Sequence, residues 1–349
     1  RLDTLTNCGA CELSCIRDNA LTDCIGGMCG IASCNPGHDN CDGDLFNGCE
    51  YDLKDGPCAK AFTYPPSNFD PALLDRVSAP DVTLDCDAVF DSSNPSDFGR
   101  WCGQPVPPLS VNDSQDPPLV VLALKSLTVS DDGSLTVVGN RPVVFAVFGT
   151  AAVDGVIDAS AKGPKSGAGG DWFCTDSAGG VGQTAMGKLI NGGGGGGGFG
   201  TTGGAGGHTM QAPGGSGGAP RGNASLVPLL GGCPGANGGS RKTCEPGAGG
   251  GAVQISASGA LTVTGTIRAN GGRGADGCAK LGSGGAGGGS GGAILLEGKT
   301  VATHGATITA KGGRGGNGLD ATDTLTGRRG DDAQGVISGG GGKGSADPD

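Results

Sequence analysis

Residues 251–274 read GAVQISASGALTVTGTIRANGGRG, and residues 292–315 read GAILLEGKTVATHGATITAKGGRG. The second stretch is the first rewritten at an offset of 41 residues. Val253 and Ile255 match Ile294 and Leu296, Ile267 matches Ile308, and the Gly-Gly-Arg-Gly around Arg273 matches that around Arg314. A third copy lies upstream at residues 142–163, PVVFAVFGTAAVDGVIDASAKG. There Val143, Phe145, Val153, Gly155 and Ile157 align with Val253, Ile255, Val263, Gly265 and Ile267 at an offset of 110. Similarity at a fixed offset marks a stacked architecture, because one such unit cannot bury its apolar face alone. Each copy carries short β-branched runs with alternating polarity, broken by glycine where the chain turns. This predicts two strands per copy followed by a glycine-rich excursion.

Glycine sets the composition: 77 of 349 residues, of which 63 fall in residues 162–349. No Gly-X-Y period runs through that region, so a collagen triple helix is excluded. Two readings compete for the long excursion at residues 164–250. One is a flexible surface insertion. The other is a bundle of extended, left-handed threefold chains of polyglycine type, which glycine permits because no Cβ separates the backbones. The cysteines within the excursion argue for order. The expected fold is therefore all-β: a glycine-rich β-helix or β-solenoid-like stacked domain with polyglycine-type segments, preceded by a small disulfide-rich module. Its parts are a disulfide module at residues 1–60, a connector or cap at 61–117 and the repeat domain at 118–349. Residues 118–163 carry the densest apolar runs, and Val336–Ser338 reads as one last strand.

The 15 cysteines and the net charge of −11 bound the setting. So many cysteines imply an oxidising, extracellular environment, and an odd number leaves at least one without an intrachain partner. The acidic balance argues against nucleic acid, and no apolar run is long enough to span a membrane. The start at Arg1 without methionine reads as a cleaved mature form.

Cys8, Cys11, Cys15, Cys24, Cys29, Cys34, Cys41 and Cys49 crowd the N-terminal module, among spacers too polar to form a core. Cys8-Gly-Ala-Cys11 has zinc-ligand spacing, but a disulfide scaffold is favoured because His38 is the one histidine nearby. Cys86 and Cys102 flank a short loop and are expected to pair, with Trp101 packing the bridge. Cys233 and Cys244 close another short loop and are expected to pair, with Cys174–Cys278 as a weaker pairing. Within the N-terminal module, Asp39, Asp42, Asp44, Asn47 and Glu50 offer several oxygens to a calcium ion. The spacing does not match the EF-hand pattern, so an Asx-rich turn is favoured over calcium. No other cofactor is implied.

At TNCGACELSC (6–15), IASCNPGHDNCDGDLFNGCE (31–50), WCGQ (101–104), GGGGGGGFGTTGGAGG (192–207), LVPLLGGCPG (226–235) and GGSGGAILLEG (288–298), the chain resembles secreted Cys-rich, Gly-rich surface proteins common in myxobacteria. The resemblance covers nearly the whole chain. It implies a place at or outside the cell surface and transfers no catalytic or binding residue.

An enzyme finds little support. Glycoside hydrolysis needs facing carboxylates, and the one candidate pair, Asp154 and Asp158, is expected on one strand face. Their counterparts in the next copy are Thr264 and Arg268, so a solvated face is the preferred reading. The histidines available to a nucleophile system are His38, His208 and His304, none within a recognisable motif. The expectation is an extracellular structural protein whose partners are copies of itself, in a fibre, filament or matrix. The alternative is an adhesin that presents glycine-rich loops to extracellular polysaccharide or another cell.

Overall fold

A computed structural model describes residues 3–10, 14–40, 48–49, 51–52, 62–112, 116–185, 191–239, 244–277 and 282–319. The structure is built almost wholly of strands and extended segments, with no α-helix among the described residues. It divides into two compact units. One comprises residues 1–65 and 70–74, the other residues 66–69 and 75–349.

The smaller unit contains three short antiparallel pairs: β1 (Asp3–Thr4) with β2 (Asn7–Cys8), β3 (Ala20–Ile25) with β4 (Met28–Cys34), and β5 (His38–Asp39) with β6 (Tyr51–Asp52). Gly26 and Gly27 both take positive φ in the β3–β4 turn, a conformation costly for residues with a Cβ. Disulfides join Cys8 to Cys24, Cys15 to Cys29 and Cys34 to Cys49. Buried Cys8, Cys15 and Cys24 themselves form the core cluster, as expected of a segment too polar to build another. A 3-10 turn lies at Pro71–Leu73, capped by the Asp70 side chain accepting from the Ala72 N–H.

The larger unit holds β7 (Asp81–Leu84), β8 (Asp87–Asp91), β9 (Leu109–Asn112), β10 (Leu119–Leu124), β11 (Ser126–Val129), β12 (Ser134–Val138), β13 (Val143–Val147), β14 (Ala151–Val153), β15 (Val156–Asp158), β16 (Ala252–Val263), β17 (Thr266–Arg268), β18 (Ala293–Ala302) and β19 (Thr307–Thr309). An eight-stranded sheet runs β7-β11-β14-β16-β13-β10-β9, with β18 also on β16. A five-stranded sheet runs β19-β17-β15-β12-β8. Every pairing in these sheets is parallel except β9 on β10.

The register repeats the internal homology. Phe145 pairs with Ile255 and Val153 with Val263; Ile157 pairs with Ile267, and Ile255 with Leu296. The same ladders extend to segments the repeat does not reveal: Leu122 pairs with Phe145, Leu135 with Ile157, and Val82 with Leu127. Three ladders result. The first runs through β10, β13 and the first halves of β16 and β18. The second runs through β7, β11, β14 and the second halves of β16 and β18. The third is the five-stranded sheet. Their inward side chains, from Val82 and Phe90 to Leu261 and Ile267, form one buried cluster. The first copy uses three strands where two were expected; in the later copies the first two are continuous, with an irregularity between Ala257 and Ala260.

Glycine places one corner at the same point in successive copies of the repeat. A Cβ on Gly155 would overlap the carbonyl oxygens of Ser130 and Gly133, and one on Gly265 would overlap those of Asp154 and Gly155. Outer faces are also covered along the first ladder: every residue of β10 is buried, which explains its unbroken run LVVLAL. At the β7–β8 end, Phe90, Phe98 and Trp101 pack together with centroids 5.4–6.3 Å apart. Cys102 in this cluster's loop bonds Cys86, the pair suggested by the spacing. At the other end Val301 and Ile308 are exposed.

The glycine-rich excursion is ordered in the described residues without forming strands. Residues 192–198 are buried, and their N–H donors change neighbour with a period of three. Gly193 and Gly196 donate to Gly207 and Gly204; Gly194 and Gly197 donate to Gly285 and Gly288; Gly195 and Gly198 donate to Gly180 and Ser177. The carbonyls of Gly192 and Gly195 accept from Gly239 and Ala236, and those of Gly193 and Gly196 from Gly215 and Gly218. The segment at 284–292 repeats the scheme. Gly284, Gly287 and Ser290 donate to Gly239, Ala236 and Cys233, while Ala286, Gly289 and Gly292 donate to Ala275, Gly272 and Ala269. The flexible reading of these stretches does not hold.

Candidate functional site

The residues singled out in the sequence do not converge. Asp39 lies in β5, whereas Asp42, Asp44, Asn47 and Glu50 are outside the described residues, as are Cys11, Cys41, Cys278 and Val336–Ser338. Cys8 is bonded to Cys24 and is not a thiolate for zinc. The sulfurs of Cys8, Cys15 and Cys24 lie within 4.8 Å of one another because two bridges are adjacent, not because a metal site is present.

Two expectations are overturned. Cys233 bonds Cys174, which is 59 residues away in sequence, and not Cys244. This also removes the Cys174–Cys278 pairing, and Cys244 is disulfide-bonded in its own right. Nearness in sequence misled because the segments flanking the two cysteines pair further along, Gly235 donating to Gly247 and Gly232 to Gly250. Asp154 and Asp158 do not share a strand face: Asp154 stands at the corner beside Gly155, between β14 and β15, and Asp158 ends β15. Asp154 Oδ1 accepts from the Thr264 hydroxyl at 2.6 Å, linking one copy of the repeat to the next. Asp158 Oδ1 accepts from the Ser160 N–H. His208 and His304 are exposed at separate places.

The structure instead assembles two polar sites. The first lies on the outer face of the first ladder. Glu297 Oε2 accepts from Ser256 Oγ at 2.7 Å and Gln254 Nε2 at 3.0 Å, and the Ser67 N–H reaches both carboxylate oxygens. Gln254 Nε2 also donates to the Ser67 carbonyl, and Gln254 Oε1 accepts from Asn68 Nδ2 at 2.9 Å. Asn68 Nδ2 donates in turn to the Leu226 carbonyl. Gln254 and Ser256 are fully buried. By accepting this many donors, the Glu297 carboxylate ties residues 67–68 to β16 and β18. The sequence signal is slight, a Gln and a Glu interrupting apolar runs.

The second site surrounds the Cys174–Cys233 bridge. Arg221 Nη1 donates to the Trp172 carbonyl and lies 2.9 Å from Cys174 Sγ and 3.4 Å from Cys233 Sγ. Burial pulls the guanidinium below its usual range, opposed by the charge of Asp116. Asp116 Oδ1 also accepts from Trp172 Nε1 at 2.7 Å. Next along the chain, Asp171 accepts from the Gly249 N–H at 2.7 Å. Burial raises its carboxyl to about 6, against the lowering effect of that hydrogen bond. Nothing in the sequence marked Arg221 or Asp171.

Asp171 has a measurable consequence. Its pKa in the folded chain is above its unfolded value, so the folded state holds the extra proton between the two. Stability from this group is full below pH 3.8 and falls as pH rises through about 6. The loss is about 2–3 kcal/mol. Asp171→Asn keeps an acceptor for Gly249 and tolerates the φ of 61°, so it is expected to stabilise the protein by about 2 kcal/mol at neutral pH and to change little at pH 4. Denaturant unfolding of both proteins across that range checks it; parallel pH profiles would refute it.

Among the described residues no helix is long and apolar enough to cross a membrane. Comparison with protein-family models, with curated proteins and with solved structures finds no match for this chain.

Proposed function

We propose that this chain is an extracellular structural protein, a rigid subunit of a fibre, surface layer or matrix. In this reading the three parallel ladders wind as a β-helix, and the glycine-rich segments pack beside it as threefold polyglycine-type chains. The observation that carries the reading is the period-three hydrogen bonding of residues 192–198 and 284–292. It commits the backbone groups of these segments to lateral bonds between neighbouring chains. The disulfides of both units suit an oxidising, extracellular setting and durability there. Exposed Val301 and Ile308 at the β18–β19 end offer an apolar contact to another copy.

Electron microscopy of material from the native source, with and without reductant, tests this. Regular fibres or sheets are the expected result. Isolated particles under both conditions would overturn it and favour an adhesin. Phe173, which is 73% exposed and edge-on to Trp172, gives that alternative an aromatic surface for a sugar ring.

A further inference from the structure

The Cys174–Cys233 bridge differs from an inert structural staple in three ways. A guanidinium nitrogen lies within hydrogen-bond reach of both sulfurs. A cation beside a cysteine stabilises its thiolate, and a disulfide breaks faster when the departing sulfur is a stabilised thiolate. The backbone beside it is strained: Phe173 has φ 42°, a left-handed value that is unfavourable for a bulky aromatic residue. Finally, the two sulfurs are unequal. Cys233 is fully enclosed, whereas Cys174 retains 8% exposure between exposed Phe173 and Thr175.

We propose that Cys174–Cys233 is an exchangeable bridge and that Cys174 is a site of mixed-disulfide formation with an external thiol. The incoming thiolate, its proton already lost to water, attacks Cys174 Sγ. A new S–S bond forms as the Cys174–Cys233 bond breaks, and the electron pair departs on Cys233 as a thiolate facing Arg221. The incoming sulfur is oxidised and Cys233 is reduced, so no further oxidant is required. Phe173 is freed to relax when the bridge opens. The substrate class is a cysteine thiol. It can come from a small molecule or from a second copy of this chain, whose 15 cysteines cannot all pair within one chain. The step needs only a single chain, so it does not rest on the assembly reading; within an assembly it would supply a covalent link.

The test uses the full chain and free cysteine as the probe thiol at neutral pH, with acid quenching and peptide mass spectrometry. A cysteine adduct on Cys174 with Cys233 as the free thiol is expected. Arg221→Gln should slow its formation roughly tenfold, while Arg221→Lys retains most of the rate. Opening of Cys86–Cys102 serves as the internal reference and should be the same in all three proteins. A second arm incubates the chain alone and looks on non-reducing gels for a dimer that disappears in a Cys174→Ser/Cys233→Ser double variant; its appearance identifies the second copy as the thiol source. An adduct on Cys233, no adduct in either arm, or equal rates with Arg221→Gln would overturn the proposal. Should Arg221→Gln disturb the fold, the position of the adduct in the unaltered chain still decides.

Discussion

Gly195→Ala is expected to destabilise the larger unit by about 3–5 kcal/mol, lowering its melting temperature by about 5–10 °C. Gly195 is surrounded by backbone. Its N–H donates to Gly180, its carbonyl accepts from Ala236, and a Cβ would overlap the carbonyl oxygen of Ser216. A flexible side chain could move aside; three extended backbones that also bond one another cannot do so without giving up hydrogen bonds. Gly99→Ala is the comparison, since its Cβ would meet only Asp97 Oδ1, at 3.1 Å. That change should stay within about 0.5 kcal/mol. Calorimetry on both variants checks the difference, and equal melting temperatures would mean that residues 192–198 are not close-packed.

Phe145→Ala should cost about 3–5 kcal/mol. Phe145 is fully buried in the middle of the first ladder, with Leu122 on one side and Ile255 on the other. These strands have parallel neighbours on both edges, so the ladder cannot collapse into the gap without breaking register. Leu296→Ala, one ladder position beyond Ile255 and only partly buried, should cost about 1 kcal/mol. Denaturant titration separates the two. Comparable losses would contradict an interior that is closed at Phe145 and open at Leu296.

The pairing of the repeat copies was legible because parallel register writes itself into sequence. Residues that pair across a parallel ladder share one environment, so Val253 resembles Ile294 and Ile157 resembles Ile267, and aligning the copies gave the register directly. Polar positions follow the same rule: Ser160 Oγ accepts from the Asn270 N–H, and Asn270 Oδ1 from the Lys311 N–H, at the same offsets of 110 and 41. The turn from β10 to β12 was not recognised as a copy because no glycine excursion separates it from β13, so its spacing is shorter. The face shared by Asp154 and Asp158 was misjudged because period-two counting fails at a corner, and Gly155 is one. The sites were hardly legible at all. Glu297, Gln254, Arg221 and Asp171 acquire their roles from partners as far as 230 positions away, and the Cys174–Cys233 bridge depends on which extended segments lie side by side.

The period-three bonding of residues 192–198 also governs how the molecule answers force. A β-sheet is bonded in one plane, and sheets can slide over one another where only side chains touch. A chain that sends successive N–H groups to three different neighbours, and receives donors from two others, has no such slip plane. Shear in any direction across this bundle must break rows of backbone hydrogen bonds together. Such a block resists deformation about equally from all sides, a mechanical property that a single sheet of the same size lacks.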